Sequence, residues 1–435
     1  MRINIDKALS DQKLLGMFMQ GDSWGAWRGL WRAAYALPPR KGDLELFSAC
    51  TGRSTWPSKP SRAIYIIVSR RGGKSINVAL VATYTAAFSE FKGLASGEKA
   101  VIIIISPTKG QSKIVKGYIS SFFNENPLLR KMVLNETAVE LLLSNKVSIQ
   151  IMTSDFRSIR GFSSPLVILE EAAFFYQEGQ KTDSEAIRAV VPSLATLDGI
   201  LCVISSPFAK SGAVWEAYSK YYGVDGDTLI WKSSSKTMNP LLADSMIAKA
   251  IEEDKEGGLS EWEGEFRSDI TSYVSPEVID QCTITGCRER APLDTQIYFG
   301  FTDMAGGSGK DSGTLAIAHS EDGKVFLDCL REMKPPFSPE QCVEEFSDTL
   351  KRYGCLRVQG DRYAGDWPKE RFSQHGIVYE ASERNKSQLY LECLPLLNSA
   401  QVELLDNEVL KRQFRSLERK THSGGRQSID HPASG

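Results

Sequence analysis

Histidine is scarce in this chain of 435 residues, with four in all, and its eight cysteines, at positions 50, 202, 282, 287, 329, 342, 355 and 393, include no C-x-x-C pair. Neither a zinc ribbon nor a disulfide framework is legible in that pattern. No apolar run approaches the roughly 18 residues that a membrane-crossing helix needs, and no secretory leader is legible; the expectation is a protein of a reducing cytoplasm without membrane partners. An excess of charge is missing too: 52 Lys and Arg stand against 54 Asp and Glu, a formal net charge of −2, with a pI near 6.2. Bulk charge therefore gives no support for a nucleic-acid partner, and any DNA contact has to come from a local patch.

What is present is ordinary globular composition, 42% hydrophobic, in a length that accommodates two or three domains. The densest signal is Ile64-Tyr-Ile-Ile-Val-Ser-Arg-Arg-Gly-Gly-Lys-Ser75, a β-branched run feeding a glycine pair and then Lys74-Ser75. Glycines let backbone N–H groups curl around phosphate oxygens, a lysine ammonium reaches the terminal phosphates, and a serine hydroxyl ligates Mg²⁺ at a helix N-terminus. Arg70, Gly72, Gly73, Lys74 and Ser75 are thus candidate nucleotide-binding residues. The full phosphate-loop pattern wants glycine where Val68 stands, so the match is degenerate. Its context is right, because Ile64–Val68 reads as a buried parallel strand and 76–88 (INVALVATYTAAF) as a largely apolar helix.

A partner lies at Pro165-Leu-Val-Ile-Leu-Glu-Glu171, an apolar strand ending in two carboxylates. A carboxylate at a strand tip beside a phosphate loop can hold the water shell of Mg²⁺, and the next can orient or deprotonate the attacking water. Glu170 takes the first role and Glu171 the second. A third strand, 199–207, ends in Ser205-Ser206-Pro207, small hydroxyl residues suited to sense a phosphate. Strands at 100–107 and 147–152, separated by helical stretches, complete a mostly parallel α/β sheet.

The organisation read from these patterns is a helical prologue over 1–60, a P-loop ATPase domain over 61–235, a helical linker over 236–290 and a second β-rich domain over 291–435. In the prologue, Trp24, Trp27 and Trp31 mark one helix face and read as core packing. In the last domain, Ile297–Asp303 is a strand ending in a carboxylate, a glycine-rich turn follows, and 314–319 and 324–330 continue a meander. A helix over about 338–353 then leads to Cys355–Asp361, another strand with an acidic end. Carboxylates on adjacent strands are how the RNase H-like fold holds divalent metal ions for two-metal phosphodiester cleavage. Asp303 and Asp361 are the candidate ligands.

At this point the chain resembles the large terminase subunit of tailed bacteriophages, an ATP-driven DNA-packaging motor and nuclease. The resemblance runs from about residue 60 to the end and rests on an ordered set: SRRGGKS (69–75), RGFSSPLVILEEAAF (160–174), SSP (205–207), NPLL and EGEFRSD in the bridge, TDMAGGSGKDSG (302–313), QGDRYAG (359–365) and IDHPASG (429–435). Each piece is weak alone. The family tolerates loss of the first phosphate-loop glycine, which accounts for Val68.

The resemblance implies ATP with Mg²⁺ as cofactors, Mn²⁺ as an alternative at the nuclease site, and an arginine, either Arg71 or Arg160, completing the ATP site. It implies that Ser205, Ser206 and Pro207 couple hydrolysis to movement, that Asp311 is an auxiliary acid beside Asp303 and Asp361, and that Lys386 contacts phosphate. The implied partners are double-stranded DNA, a small terminase subunit and a portal protein, with the subunit in a homo-oligomeric ring in the host cytoplasm. In the family the D-H-P-x-x-G stretch continues into H-D-D, which carries the last nuclease carboxylate. The sequence stops at Gly435, so a nuclease domain truncated at its C-terminus and a weakened nuclease are expected, with Asp430 a poor substitute for the missing acid.

DNA contact is expected where six Lys or Arg and one acid fall between Lys411 and Arg426; a solvated helix face explains the same run equally well. Two other readings compete with the motor. One is a helicase-like ATPase of DNA repair or restriction with a non-catalytic second domain, against which the nuclease motifs argue. The other is a regulatory nucleotide-binding module, which has no need of a water-activating Glu171.

Overall fold

Unbroken β-branched runs that alternate between two buried faces require cover on both sides, and the first sheet is built that way. The computed structural model describes residues 3–153, 159, 161–177, 180–181, 183–306, 309, 311–361, 367–422 and 426–431. Its contacts divide the chain into two units, the first ending at Thr271 and the second beginning at Ser272. The main-sheet strands of the first unit are β1 (Ala63–Val68), β2 (Ala100–Ser106), β3 (Val133–Glu136), β4 (Glu140–Leu143), β5 (Val147–Thr153), β6 (Leu166–Glu170), β7 (Ile200–Ser205) and β8 (Thr228–Ser233). They form one sheet in the order β8-β1-β7-β6-β2-β5-β4-β3. From β8 to β5 every neighbouring pair is parallel, and β4 and β3 add an antiparallel edge.

Successive residues go to opposite faces. Ile64, Ile66, Val68, Ile102 and Ile104 join the Lys74–Phe88 and Lys109–Glu125 helices and the N-terminal Trp27, Leu30 and Trp31. Tyr65, Ile67, Ile103 and Ile105 face the Asp183–Val190 and Gly212–Tyr221 helices. The first sixty residues therefore pack into the same core as the sheet. The β3–β4 hairpin, mostly exposed, has no counterpart in the sequence reading.

In the second unit β9 (Tyr298–Asp303), β10 (Gly313–Glu321) and β11 (Lys324–Met333) form an antiparallel meander. Strand β12 (Arg357–Gly360) adds parallel to β9 and β13 (Val378–Ala381) parallel to β12, while β14 (Val402–Glu403) closes the far edge, giving the order β13-β12-β9-β10-β11-β14. A three-strand meander extended by parallel strands on the outer side of its first strand is the RNase H-like arrangement. One face is covered by the Pro339–Arg352 helix and by Trp367–Gln374. Val343, Phe346, Leu350 and Phe372 pack there on Leu315, Ile317 and Val358. Among the described residues no helix is long and apolar enough to cross a membrane.

Candidate active sites

In a parallel sheet the C-terminal strand ends share one edge, so residues far apart in sequence meet there. The Ser69–Gly73 loop leaves β1 and opens the helix at Lys74. Gly73 adopts φ +89°, a conformation L side chains rarely take. Lys74 is buried, and its ammonium donates to the Val68 carbonyl (2.9 Å), the Ser69 carbonyl (3.3 Å) and Ser206 Oγ (2.8 Å). It also pairs with Glu171 at 3.2 Å. An incoming phosphate has to take over part of this set.

The two acids of β6 separate in role as their surroundings differ. Glu170 is 1% exposed and accepts from Ser75 Oγ (2.6 Å) on one oxygen and Ser106 Oγ (2.9 Å) on the other. Burial pushes its carboxyl above the usual carboxylate range, the hydrogen bonds from Ser75 and Ser106 pull it back, and the adjacent Glu171 charge raises it further. Glu171, in the left-handed region at φ 51°, turns towards β7 and accepts from the Ser206 N–H (3.0 Å) and, more weakly, from Ser205 Oγ (3.5 Å). Ser205 Oγ in turn accepts from the Ala173 N–H at 3.1 Å.

A carboxyl whose pKa rises on folding stabilises the fold while protonated and loses that contribution as pH climbs through the raised value. Glu170→Gln does not ionise and can still bond both serines. In EDTA it is expected to melt roughly 2–4 °C above the wild type near pH 8, with the gap closing towards pH 4, as thermal scans across that range would register.

Two of the three candidate arginines lie among the described residues. The Arg70 N–H donates to the Glu261 carbonyl (2.8 Å) and its guanidinium pairs with the Glu261 carboxylate (3.2 Å). Arg71 is exposed at φ 61°, with its carbonyl accepting from Asn239 (3.0 Å). Arg160 lies outside the described residues.

Three groups at this site escaped the sequence reading. Ser106, at the tip of β2, had a signal in its position at the end of an apolar strand. Ser260, in the π-helical turn Leu259–Glu263, accepts from Ser69 Oγ on its carbonyl (3.0 Å) and donates from its hydroxyl to the Pro207 carbonyl (2.9 Å). It thereby ties the loop to the serine turn. Trp27 reaches the Gly72 carbonyl (2.8 Å).

In the second unit the parallel register Thr302↔Gly360 places Asp303 and Asp361 next to each other at adjoining strand ends. Desolvation raises the Asp303 carboxyl, the charges of Asp361 and Asp311 raise it further, and Lys386 opposes them. Carboxylates that repel one another at adjoining strand ends fit a divalent cation, which relieves the repulsion. Asp311 is exposed, and among the described residues no group of three or more His, Cys, Asp or Glu side chains is arranged to hold a metal ion. Lys386 pairs with Asp430 at 2.6 Å.

Tyr379 donates to the Asp361 carbonyl at 2.9 Å. A Cβ on Gly360 would come within 2.3 Å of the Tyr379 hydroxyl oxygen and 2.6 Å of its ring. Gly360→Ala is therefore expected to shift Asp361 and lower metal-dependent DNA nicking about a hundredfold, with ATP hydrolysis unchanged, in paired plasmid and phosphate-release assays.

The basic run is partly neutralised. Lys411 is held by Asp406 (2.7 Å) and Glu408 (2.5 Å), and Arg415 pairs with Asp280. Arg419 and Lys420 lie on, and Arg426 beside, the hairpin of strands β15 (Glu418–Thr421) and β16 (Gln427–Asp430).

The first unit is a P-loop NTPase fold and the second an RNase H-like fold, assigned on their strand orders and on where the lysine, serine and acidic side chains fall. No protein-family model and no curated protein matches the chain. Among solved structures it is similar to the large terminase of bacteriophage HK97, at 14% identity and a TM-score of 0.43 over 92% of this chain and 93% of that one. It is similar to the large terminase of the thermophilic bacteriophage D6E at 11% identity and a TM-score of 0.39, covering 86% and 90% of the two chains. The large terminase nuclease of the thermophilic phage G20c aligns with 38% of this chain and 90% of its own, at 18% identity and a TM-score of 0.33.

Proposed function

We propose that this chain is the large terminase subunit of a tailed bacteriophage, hydrolysing ATP to drive double-stranded DNA into a procapsid and cutting concatemeric DNA with its second unit. The observation that carries the reading is the pairing, in one chain, of the Lys74–Glu171–Ser206 cluster with the Asp303/Asp361 pair, in the motif order quoted above. The same reading assigns 61–235 to the ATPase and 291–435 to the nuclease. It implies a small terminase subunit and a portal protein as partners, assembly as a ring and action in the host cytoplasm.

In the ATPase, Lys74 neutralises the terminal phosphates and the N–H groups of Gly72 to Ser75 orient them. Ser75 and Glu170 would hold Mg²⁺, directly and through water, and the ion supplies further charge neutralisation. Glu171 takes the proton of the attacking water. Ser206, touching both Lys74 and Glu171, is placed to transmit phosphate loss to β7. Arg71 and Arg160 are the candidates to stabilise transition-state charge. In the nuclease, Asp303 and Asp361 would hold Mg²⁺ or Mn²⁺, with Asp311 as an auxiliary acid, to polarise the scissile phosphate and activate water. Lys386 lies close enough to Asp303 to act on it and is the candidate phosphate contact.

The test is ATP hydrolysis with and without double-stranded DNA, beside plasmid nicking in Mg²⁺ and in Mn²⁺. DNA-stimulated hydrolysis together with nicking is expected. Hydrolysis without nicking in either metal would point to a helicase-like ATPase, and absence of both activities would overturn the proposal.

A further inference from the structure

The outer side of the phosphate loop is held by side chains that take no part in the chemistry described above. The Gly25–Ala34 helix carries Trp27 and Trp31 one turn apart, so both indoles face the loop. The Trp27 indole N–H donates to the carbonyl of Gly72 at 2.8 Å. Trp31 donates to Asn77 Oδ1 at 3.2 Å, and Asn77 Nδ2 donates to the carbonyl of Gly73 at 3.0 Å. Trp27, Trp31 and Asn77 are all buried, and the two indole planes are inclined by 28° with their centroids 6.4 Å apart. A Cβ on Gly73 would stand 3.3 Å from both Trp24 Cζ3 and Trp27 Nε1, so the crest of the loop rests directly on indole rings.

We propose that Trp27, backed by the Trp31–Asn77 relay, is a positioning residue for nucleotide binding: it pins two consecutive loop carbonyls outward so that the neighbouring N–H groups converge on phosphate. The inference rests on the nucleotide-binding reading of this loop and deepens it. Anion binding by a loop depends on N–H dipoles aimed inward. A peptide flip at Gly72 or Gly73 would turn a carbonyl oxygen towards the phosphates instead, and glycines resist such flips least. Donors fixed in a packed core supply the missing resistance. A tryptophan that only filled volume would place no such demand on its N–H beyond finding some acceptor. Here two indoles from one helix end, directly and through an amide, on adjacent carbonyls of the same loop.

Trp27→Phe keeps an aromatic ring and deletes the N–H. Trp56→Phe is the control, because Trp56 also donates its indole N–H to a backbone carbonyl, that of Leu37 at 2.8 Å, in the same unit and away from the loop. Fluorescent mant-ADP binding, ATP KM and kcat, and thermal midpoints are measured for wild type, Trp27→Phe, Trp31→Phe and Trp56→Phe. Trp27→Phe is expected to raise the mant-ADP Kd and ATP KM about tenfold while kcat changes less than about threefold, since Glu171 and Ser206 sit on other strands. Trp31→Phe should move both constants in the same direction by less. Trp56→Phe should lower the thermal midpoint comparably and leave both constants unchanged. Equal Kd values for wild type and Trp27→Phe, or equal shifts in Trp27→Phe and Trp56→Phe, would overturn the brace. Failure of the wild type to bind mant-ADP would instead overturn the nucleotide reading itself.

Discussion

Glu171→Gln is expected to bind ATP as tightly as the wild type and to hydrolyse it about a thousandfold more slowly. The amide is nearly isosteric, so it keeps the hydrogen bond from the Ser206 N–H (3.0 Å) and leaves the strand end in place. It cannot take a proton from water, and its contact with Lys74, 3.2 Å from the carboxylate, loses its charge. Lys74→Ala should behave differently. It removes the ammonium that neutralises phosphate, so affinity and turnover fall together, and it leaves Glu171 without its buried counter-charge. Nucleotide affinity and single-turnover hydrolysis measured for both variants separate the two roles. Wild-type turnover by Glu171→Gln would remove Glu171 as the water-activating acid.

Asp303→Asn carries the second large effect. Asp303 and Asp361 adjoin through parallel pairing, and partial desolvation together with the neighbouring acidic charges raises the Asp303 carboxyl. Removing one charge removes the repulsion a divalent ion relieves and, with it, much of the reason to bind one. Mn²⁺ affinity in the second unit and Mn²⁺-supported plasmid nicking should both drop by about a hundredfold or more, with ATP hydrolysis intact. Unchanged Mn²⁺ binding would place the metal site elsewhere.

Much of this is legible in the sequence itself. The strands carrying Val68, Glu170 and Ser205 are unbroken apolar runs, and a βα alternation puts their C-terminal ends on one edge, so Lys74, Ser75, Glu170, Glu171, Ser205 and Ser206 could be expected to meet. Asp303 and Asp361 were legible for the same reason, as acids closing two apolar strands of a meander-plus-crossover pattern. What stayed hidden depends on sheet order. Ser106 reaches Glu170 only because β2 lies beside β6, an adjacency that strand sequence does not encode. The spacing of Trp27 and Trp31 read as core packing, which is correct for their rings and silent about their N–H groups. Ser260 sits in a polar stretch whose path back to the loop is a long-range contact. The basic run from Lys411 looked like a DNA track because the acids that neutralise Lys411 and Arg415 come from outside the run itself.

The claim at the centre of this account is that one chain holds two separate centres, a phosphate-loop ATPase and a metal-dependent nuclease. The most direct measurement is ATP hydrolysis and ATP-free, Mn²⁺-supported plasmid nicking, assayed side by side on wild type, Glu171→Gln and Asp303→Asn. The account predicts crossed losses: Glu171→Gln nicks DNA but does not turn over ATP, and Asp303→Asn turns over ATP but does not nick. Loss of both activities in either variant, or of neither in both, would contradict it.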